Sequence, residues 1–251
     1  MFKGTITFNA DFTGVQFESI EFSDPDSKLF LATVKSAKNE GVILKVEIIN
    51  VDSVQQIFSQ AQEVADYTTK ILTFTFNTLF QRFRKVDENI VQEEEQAGGT
   101  KQTIIYAFLG TGMGINVDLD HIATNRQLSE VKQLLEKRTY QEFAYYNLFY
   151  SALNFKDAMS KFMALYSIAL SLCGDSQEKV DQCILSFQPS IKTNPPYRQR
   201  KSGVPETIYT RLRNEVGHIR PNTTIEQTRQ EMEKNLNGLI LIVKELINHQ
   251  T

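Results

Sequence analysis

Val15-Gln16-Phe17-Glu18-Ser19-Ile20-Glu21-Phe22 alternates apolar and polar side chains at period two. That period belongs to a strand with one face buried and one face wet. Thr5 to Phe8 repeats it upstream, and Leu29 to Val34 and Val42 to Val51 repeat it downstream. Gly14, Asp24-Pro25 and Lys38-Asn39-Glu40-Gly41 are the breaks between them. The first fifty residues therefore read as strands. A helix follows, capped by Asp52 or Ser53, with Val54, Ile57, Phe58, Ala61, Val64, Ala65, Ile71 and Leu72 near helical spacing on its buried face. Strand-like pieces resume at about Thr73 to Val86 and Gln102 to Leu109. The acidic run Gln92-Glu93-Glu94-Glu95-Gln96-Ala97-Gly98-Gly99 between them reads as a solvated hairpin loop, because clustered like charges resist packing.

From about Gln127 the period becomes helical and stays so. Leu128, Val131, Leu134 and Leu135 open an amphipathic run that passes through Phe143, Tyr145, Tyr146, Phe149 and Tyr150. A second helix covers about Asp157 to Cys173 and ends at Gly174, and a third covers Ser176 to Phe187. A basic, proline-containing loop spans Pro189 to Gly203. Pro205 suits the first turn of the helix after it. Pro221 stops that helix, and Thr223-Thr224-Ile225-Glu226 supplies a capping box for a last one. Its core stripe is Leu236, Leu239, Ile240, Val243, Leu246 and Ile247. The expected fold is α+β: a β-rich domain with one long helix over residues 1–122, then an all-α bundle over 123–251.

Composition agrees with a folded chain, since 41% of the 251 residues are apolar and 23% charged. No apolar run approaches the roughly 18–20 residues of a membrane span, and no basic-then-apolar leader opens the chain, so a cytoplasmic protein without a membrane partner is expected. Cys173 and Cys183 lack CxxC spacing and read as reduced, partly buried thiols. Residues 1–125 carry 10 Lys and Arg against 17 Asp and Glu, whereas residues 126–251 carry 17 against 13. The basic half is the one suited to a phosphate backbone.

Within that half, Arg213-Asn214-Glu215-Val216-Gly217-His218 places a permanent cation, an amide and an imidazole near a helix C-terminus. Two geometries bring them together. Gly217 can end the helix in a left-handed conformation with His218 folding back, or the helix can run on and make Asn214 and His218 i,i+4 neighbours. The negative end of the helix favours an imidazolium, which suits His218 to proton transfer. RNA carries its own nucleophile, the 2′-hydroxyl, so cleavage needs a base, an acid and a cation on the phosphate, but no metal and no cofactor. One His and one Arg supply part of that set. Two copies facing each other supply all of it.

A helical C-terminal half with Arg-Asn-x-x-x-His near the end of its penultimate helix resembles a HEPN domain (higher eukaryotes and prokaryotes nucleotide-binding). The wider string from Leu212 to His218, with Glu231-Met232 in the next helix, is also similar to HEPN-like proteins of methylamine-utilisation clusters. The HEPN resemblance implies a homodimeric, metal-independent endoribonuclease of a toxin–antitoxin or antiviral-defence setting. Arg213 would then hold the phosphate, Asn214 orient the site and His218 move protons. Some members bearing the motif are silent modules that bind RNA, nucleotide or protein, which is the alternative reading. A third reading gives Arg213 and His218 to helix-end packing, with Arg213 paired to Glu215 or Glu206.

Arg211 and Arg220 flank the motif, a placement compatible with a phosphate-binding strip, and Tyr197, Arg198, Arg200 and Lys201 read either as a solvated loop or as stacking and basic contacts to RNA. The β-rich domain would recruit substrate, or bind an effector or protein partner. Gly110-Thr111-Gly112-Met113-Gly114 leads into the strand-like Ile115 to Leu119, so it is a glycine turn or bulge and not a phosphate loop. Asp118, Asp120 and His121 lack a further nitrogen or sulfur ligand nearby and read as loop or cap residues. His249 reads as solvent-exposed.

Overall fold

A computed structural model describes residues 1–24, 29–38, 40–96, 99–109, 121–137, 140–194, 202–218 and 223–249. The chain divides into two compact units, Met1–Thr139 and Tyr140–Thr251, a mixed α and β unit followed by a mainly helical one.

The first unit is built from β1 (Phe2–Ala10), β2 (Val15–Ser23), β3 (Phe30–Ala37), β4 (Gly41–Val51), α1 (Val54–Phe76), β5 (Arg84–Gln96), β6 (Gly99–Leu109), β7 (His121–Ile122) and α2 (Asn125–Lys137). Its described strands form one sheet in the order β6-β5-β1-β4-β3-β2-β7. Neighbours are antiparallel except β7, which runs parallel to β2. The period-two pattern has its expected cause: Ile6, Phe8, Val34, Leu44, Val46 and Ile48 alternate onto one buried face. In β2 the buried set changes phase after Phe17, where the register with β3 also shifts, so an irregularity of the bulge type absorbs the slip. α1 contacts β1 and β4. Gly4 lets it approach, since a Cβ there would lie 3.2 Å from two Ile57 side-chain atoms.

Three sequence expectations change in this unit. Thr73 to Phe76 form the last turn of α1 and not the start of a strand; all four are buried, so no polar stripe marked the helical period there. Gln92 to Gln96 of the acidic run are strand rather than loop. Glu93 pairs with Gln102 in register and its carboxylate takes the Lys3 ammonium, so cross-strand partners neutralise charge that looked stranded. The division between units falls after Thr139, against the expected 122/123. Residues 125–137 stay with the sheet because α2 contacts α1 and β2, and the Tyr67 hydroxyl donates to the Leu134 carbonyl at 2.8 Å.

The second unit holds α3 (Tyr140–Leu153), α4 (Ala158–Leu172), α5 (Gln177–Phe187), the two-residue strands β8 (Thr193–Asn194) and β9 (Glu206–Thr207), α6 (Ile208–Gly217) and α7 (Ile225–Asn248). α4 packs along α7, α3 lies on α4 and α6 lies on α7. Tyr146, Phe149, Phe162, Leu165, Leu212, Met232 and Val243 are fully buried. Each such side chain contributes roughly 1.5–3 kcal/mol over exposure. Gly238, mid-way along α7, makes room for the Tyr209 hydroxyl of α6, which a Cβ would strike.

Local chemistry sets the ends. Asp157 and Ser176 cap α4 and α5 through their side chains. Pro205 precedes β9 instead of entering the first turn of α6, because Glu206 and Thr207 pair with Asn194 and Thr193. The box on α7 is Thr224 with Gln227, one residue later than expected. That shift frees Glu226 to take a two-point bond from Arg229. No helix among the described residues is long and apolar enough to cross a membrane.

Candidate functional site

The candidate site is the C-terminal end of α6, and what holds α6 explains what its side chains can do. Thr207 is the N-cap, yet its own hydroxyl caps nothing. The cap comes from α5. Asp181, completely buried, accepts from the Thr207 amide (3.0 Å), the Thr207 hydroxyl (2.6 Å) and the Thr210 hydroxyl (2.7 Å) with one oxygen. A carboxylate against the positive end of a helix is favourable in sign as well as in hydrogen bonding. The Thr210 hydroxyl also meets the Tyr166 hydroxyl of α4 at 2.8 Å. At the first residue of the helix, the Ile208 amide donates to the Lys192 carbonyl at 3.0 Å.

Further along, two arginines two residues apart have different fates. Arg211 is 11% exposed and forms a two-point bond with the buried Glu215 (2.9 and 3.0 Å), then reaches Glu231 on α7. Thr228 of α7 donates its hydroxyl to the same Glu215 at 3.1 Å. Arg211 is thus paired with two carboxylates in the α6–α7 seam.

Arg213 is half-buried and pairs with no carboxylate among the described residues. Glu215 is taken by Arg211, and Glu206 accepts from Asn214. The guanidinium instead donates from Nη1 to Asn214 Oδ1 at 3.1 Å. Asn214 in turn locks onto α5: its Oδ1 accepts from Gln177 Nε2 at 2.9 Å, and its Nδ2 lies 3.3 Å from both Gln177 Oε1 and Glu206 Oε1. The amide therefore orients the arginine and ties its helix to the neighbouring one.

Neither expected helix ending is the one adopted. Gly217 is the last helical residue, and its φ is not positive. His218 is the C-cap, extended at φ −145° and ψ 103°, and its amide bonds the Asn214 carbonyl at 2.9 Å. Its exposed imidazole makes no hydrogen bond or ion pair with a described residue. The helical bond between residues 214 and 218 survives, but the cap dihedrals turn the chain away from the helical path.

Tyr197, Arg198, Arg200, Lys201 and Arg220 lie outside the described residues, as do the glycine segment 110–114, Asp118 and Asp120. His121 is exposed, its Nε2 3.1 Å from Gln127 Oε1, the side chain that also accepts from the Thr124 amide at the start of α2. His249 is exposed and caps α7, stacked on Phe187 at 5.1 Å between ring centres.

Gln177 and Asp181 belong to this region and sequence reasoning passed over both. Asp181 left a faint signal, a carboxylate set between Val180 and Ile184 on the buried face of α5. Gln177 left none, because its partner is 37 residues away. No family model, curated protein or solved structure matches the chain.

Proposed function

We propose that this protein is a metal-independent endoribonuclease whose helical unit has the HEPN architecture and works as a homodimer. The observation that carries the reading is the contrast on α6. Arg211 is spent on two carboxylates, while Arg213 is aimed by Asn214 and left without a counter-charge among the described residues, five residues before the exposed imidazole of His218. A guanidinium without a counter-charge and, five residues further on, an exposed histidine are groups that can serve an anion that must also exchange a proton.

In the proposed reaction His218 takes the proton from the 2′-hydroxyl, whose oxygen attacks the adjacent phosphorus. Arg213 holds the non-bridging oxygens as charge builds on them. The 5′-oxygen leaves with a proton from the second protomer's imidazole, and the products carry a 2′,3′-cyclic phosphate and a 5′-hydroxyl. The sheet unit would bring the substrate or a triggering partner, and a toxin or defence role fits such an activity.

The test is labelled RNA with the full chain in EDTA. Cleavage to cyclic-phosphate ends is expected, absent on a 2′-deoxy strand and reduced roughly 10²–10⁴-fold by His218→Ala. Cleavage indifferent to that substitution removes the mechanism. One observation favours a silent binding module instead: both polar atoms of the Asn214 side chain are already engaged, as a latch would be. RNA bound without turnover, and released by Arg213→Ala, selects that reading.

A further inference from the structure

The turn between α4 and α5 carries a feature that the ribonuclease reading does not use. Cys173 ends α4, Gly174 and Asp175 follow with φ of 66° and 56°, and Ser176 starts α5. Two successive left-handed residues reverse the chain sharply. The reversal lays Cys183 of α5 beside Cys173, with the two sulfurs 3.7 Å apart and the Cys173 thiol donating to Cys183. Both cysteines are free. Cys173 is 8% exposed, and Cys183 is the more accessible of the two.

We propose that Cys173 and Cys183 are a redox-responsive pair that closes to a disulfide under a hydroperoxide and reopens under a thiol reductant. The order of events follows from access. Cys183, having lost its proton to water, attacks one peroxide oxygen; an S–O bond forms, the O–O bond breaks and the departing hydroxide is protonated to water. The sulfur has lost two electrons and the peroxide has gained them. Cys173 then attacks the Cys183 sulfur, the S–O bond breaks and a second water leaves with the Cys173 proton. Two thiols and one peroxide thus give one disulfide and two waters. Burial, and then the bond to Cys183, push the Cys173 thiol up to about 12, so it waits as a thiol until its neighbour is oxidised.

The bond has somewhere to act. α5 also carries Gln177, which clamps Asn214, and Asp181, which caps α6. A disulfide joining α5 to the end of α4 therefore stiffens the support of α6, whether or not α6 serves RNA cleavage. The sulfurs have to close from 3.7 Å to about 2 Å, a movement within side-chain and local backbone reach.

The full-length reduced protein is treated with hydrogen peroxide, quenched with N-ethylmaleimide in denaturant, and weighed intact. The expected result is loss of both alkylatable thiols in step, with a mass lower by two hydrogens, no species above the monomer on a non-reducing gel, and full recovery with dithiothreitol. In Cys173→Ala the reaction stops at a dimedone-reactive Cys183. Cys183 oxidised alone in the wild type, both thiols untouched by peroxide that consumes free cysteine, or a disulfide only between chains each overturns the pairing. The wild-type masses decide the matter even if the buried Cys173 position tolerates no substitution.

Discussion

The two units bury polar groups in different ways. In the sheet unit the buried polar side chains are hydroxyls: Ser36 on a strand, and Thr68, Thr69, Thr73 and Thr75 on α1. Thr68 and Thr69 donate back to the carbonyls of Val64 and Ala65, one turn earlier in the same helix. Such bonds are local and would form in any packing of that helix. The helical unit buries carboxylates, namely Asp181, Glu206 and Glu215, and the bonds of Asp181 and Glu206 run between elements. Glu215 takes Arg211 within α6 and Thr228 from α7. A buried charge is tolerable only where its partners are already in place. The first kind of bond leaves the placement of α1 to apolar packing and to the Tyr67 bond to Leu134. The second holds α6 at one depth and one rotation, which a site at its tip requires.

The sharpest way to break this contrast is Asp181→Ala, which strands an amide and two hydroxyls in the core. A loss of about 3–5 kcal/mol is expected from the helical unit, read by urea unfolding and amide exchange over residues 140–251. Thr69→Val in α1, which removes one local bond and keeps the shape, is expected to cost less than about 1 kcal/mol.

Next comes the pair of arginines. Arg211→Met leaves Glu215 buried without its cation and is expected to cost about 3 kcal/mol. Arg213→Met strands no carboxylate among the described residues and is expected to change stability by less than about 1 kcal/mol while abolishing RNA binding. Equal losses of stability would erase the distinction drawn between them.

Two glycines on neighbouring helices sharpen it further. Gly238→Ala drives a methyl into the Tyr209 hydroxyl and is expected to destabilise by about 1–3 kcal/mol. At Gly217 a Cβ meets nothing within 4 Å, so Gly217→Ala is expected to stabilise by up to about 1 kcal/mol. A destabilising Gly217→Ala would return that residue to the left-handed cap expected from sequence.

The smallest effect is a pH dependence at the exposed start of α7. Bonds from Arg229 and then Gln230 hold the Glu226 carboxyl down, from 4.5 to about 2. A group with its pKa depressed in the folded state stabilises above its unfolded value and loses that contribution as pH falls through the folded one. Glu226→Gln should therefore be slightly less stable than the wild type at neutral pH and equal to it near pH 2, with salt shrinking the difference. A gap that widens on acidification would contradict the assignment.

How legible each part was depended on where its partners lie. Strands β1 to β4 could be read because an antiparallel sheet with one covered face imposes period two on every strand. The ends of α1 tell the opposite story. The local string narrowed the cap to Asp52 or Ser53, and Ser53 takes it with Gln56 completing the box, whereas Thr73 to Phe76 are buried all round and carry no period. The acidic half of β5 was misread because the partners of Glu93, the Lys3 ammonium and the Gln102 amide, belong to other strands. At the candidate site Arg213, Asn214 and His218 stood out as residue types, and the one local sign separating Arg211 from Arg213 was the i,i+4 spacing of Arg211 to Glu215.

Residue order alone determined the period of the sheet strands, the side-chain caps of α1, α4 and α5 and the chemistry available at the tip of α6, since each depends on neighbours within a turn or two. Tertiary packing decided which of that chemistry stays free. Glu231 reaches Arg211 from α7, and Gln177 and Glu206 reach Asn214 from elsewhere in the fold. A charge is spent or spared by the groups that desolvate and pair it, and those groups arrive only when distant segments meet.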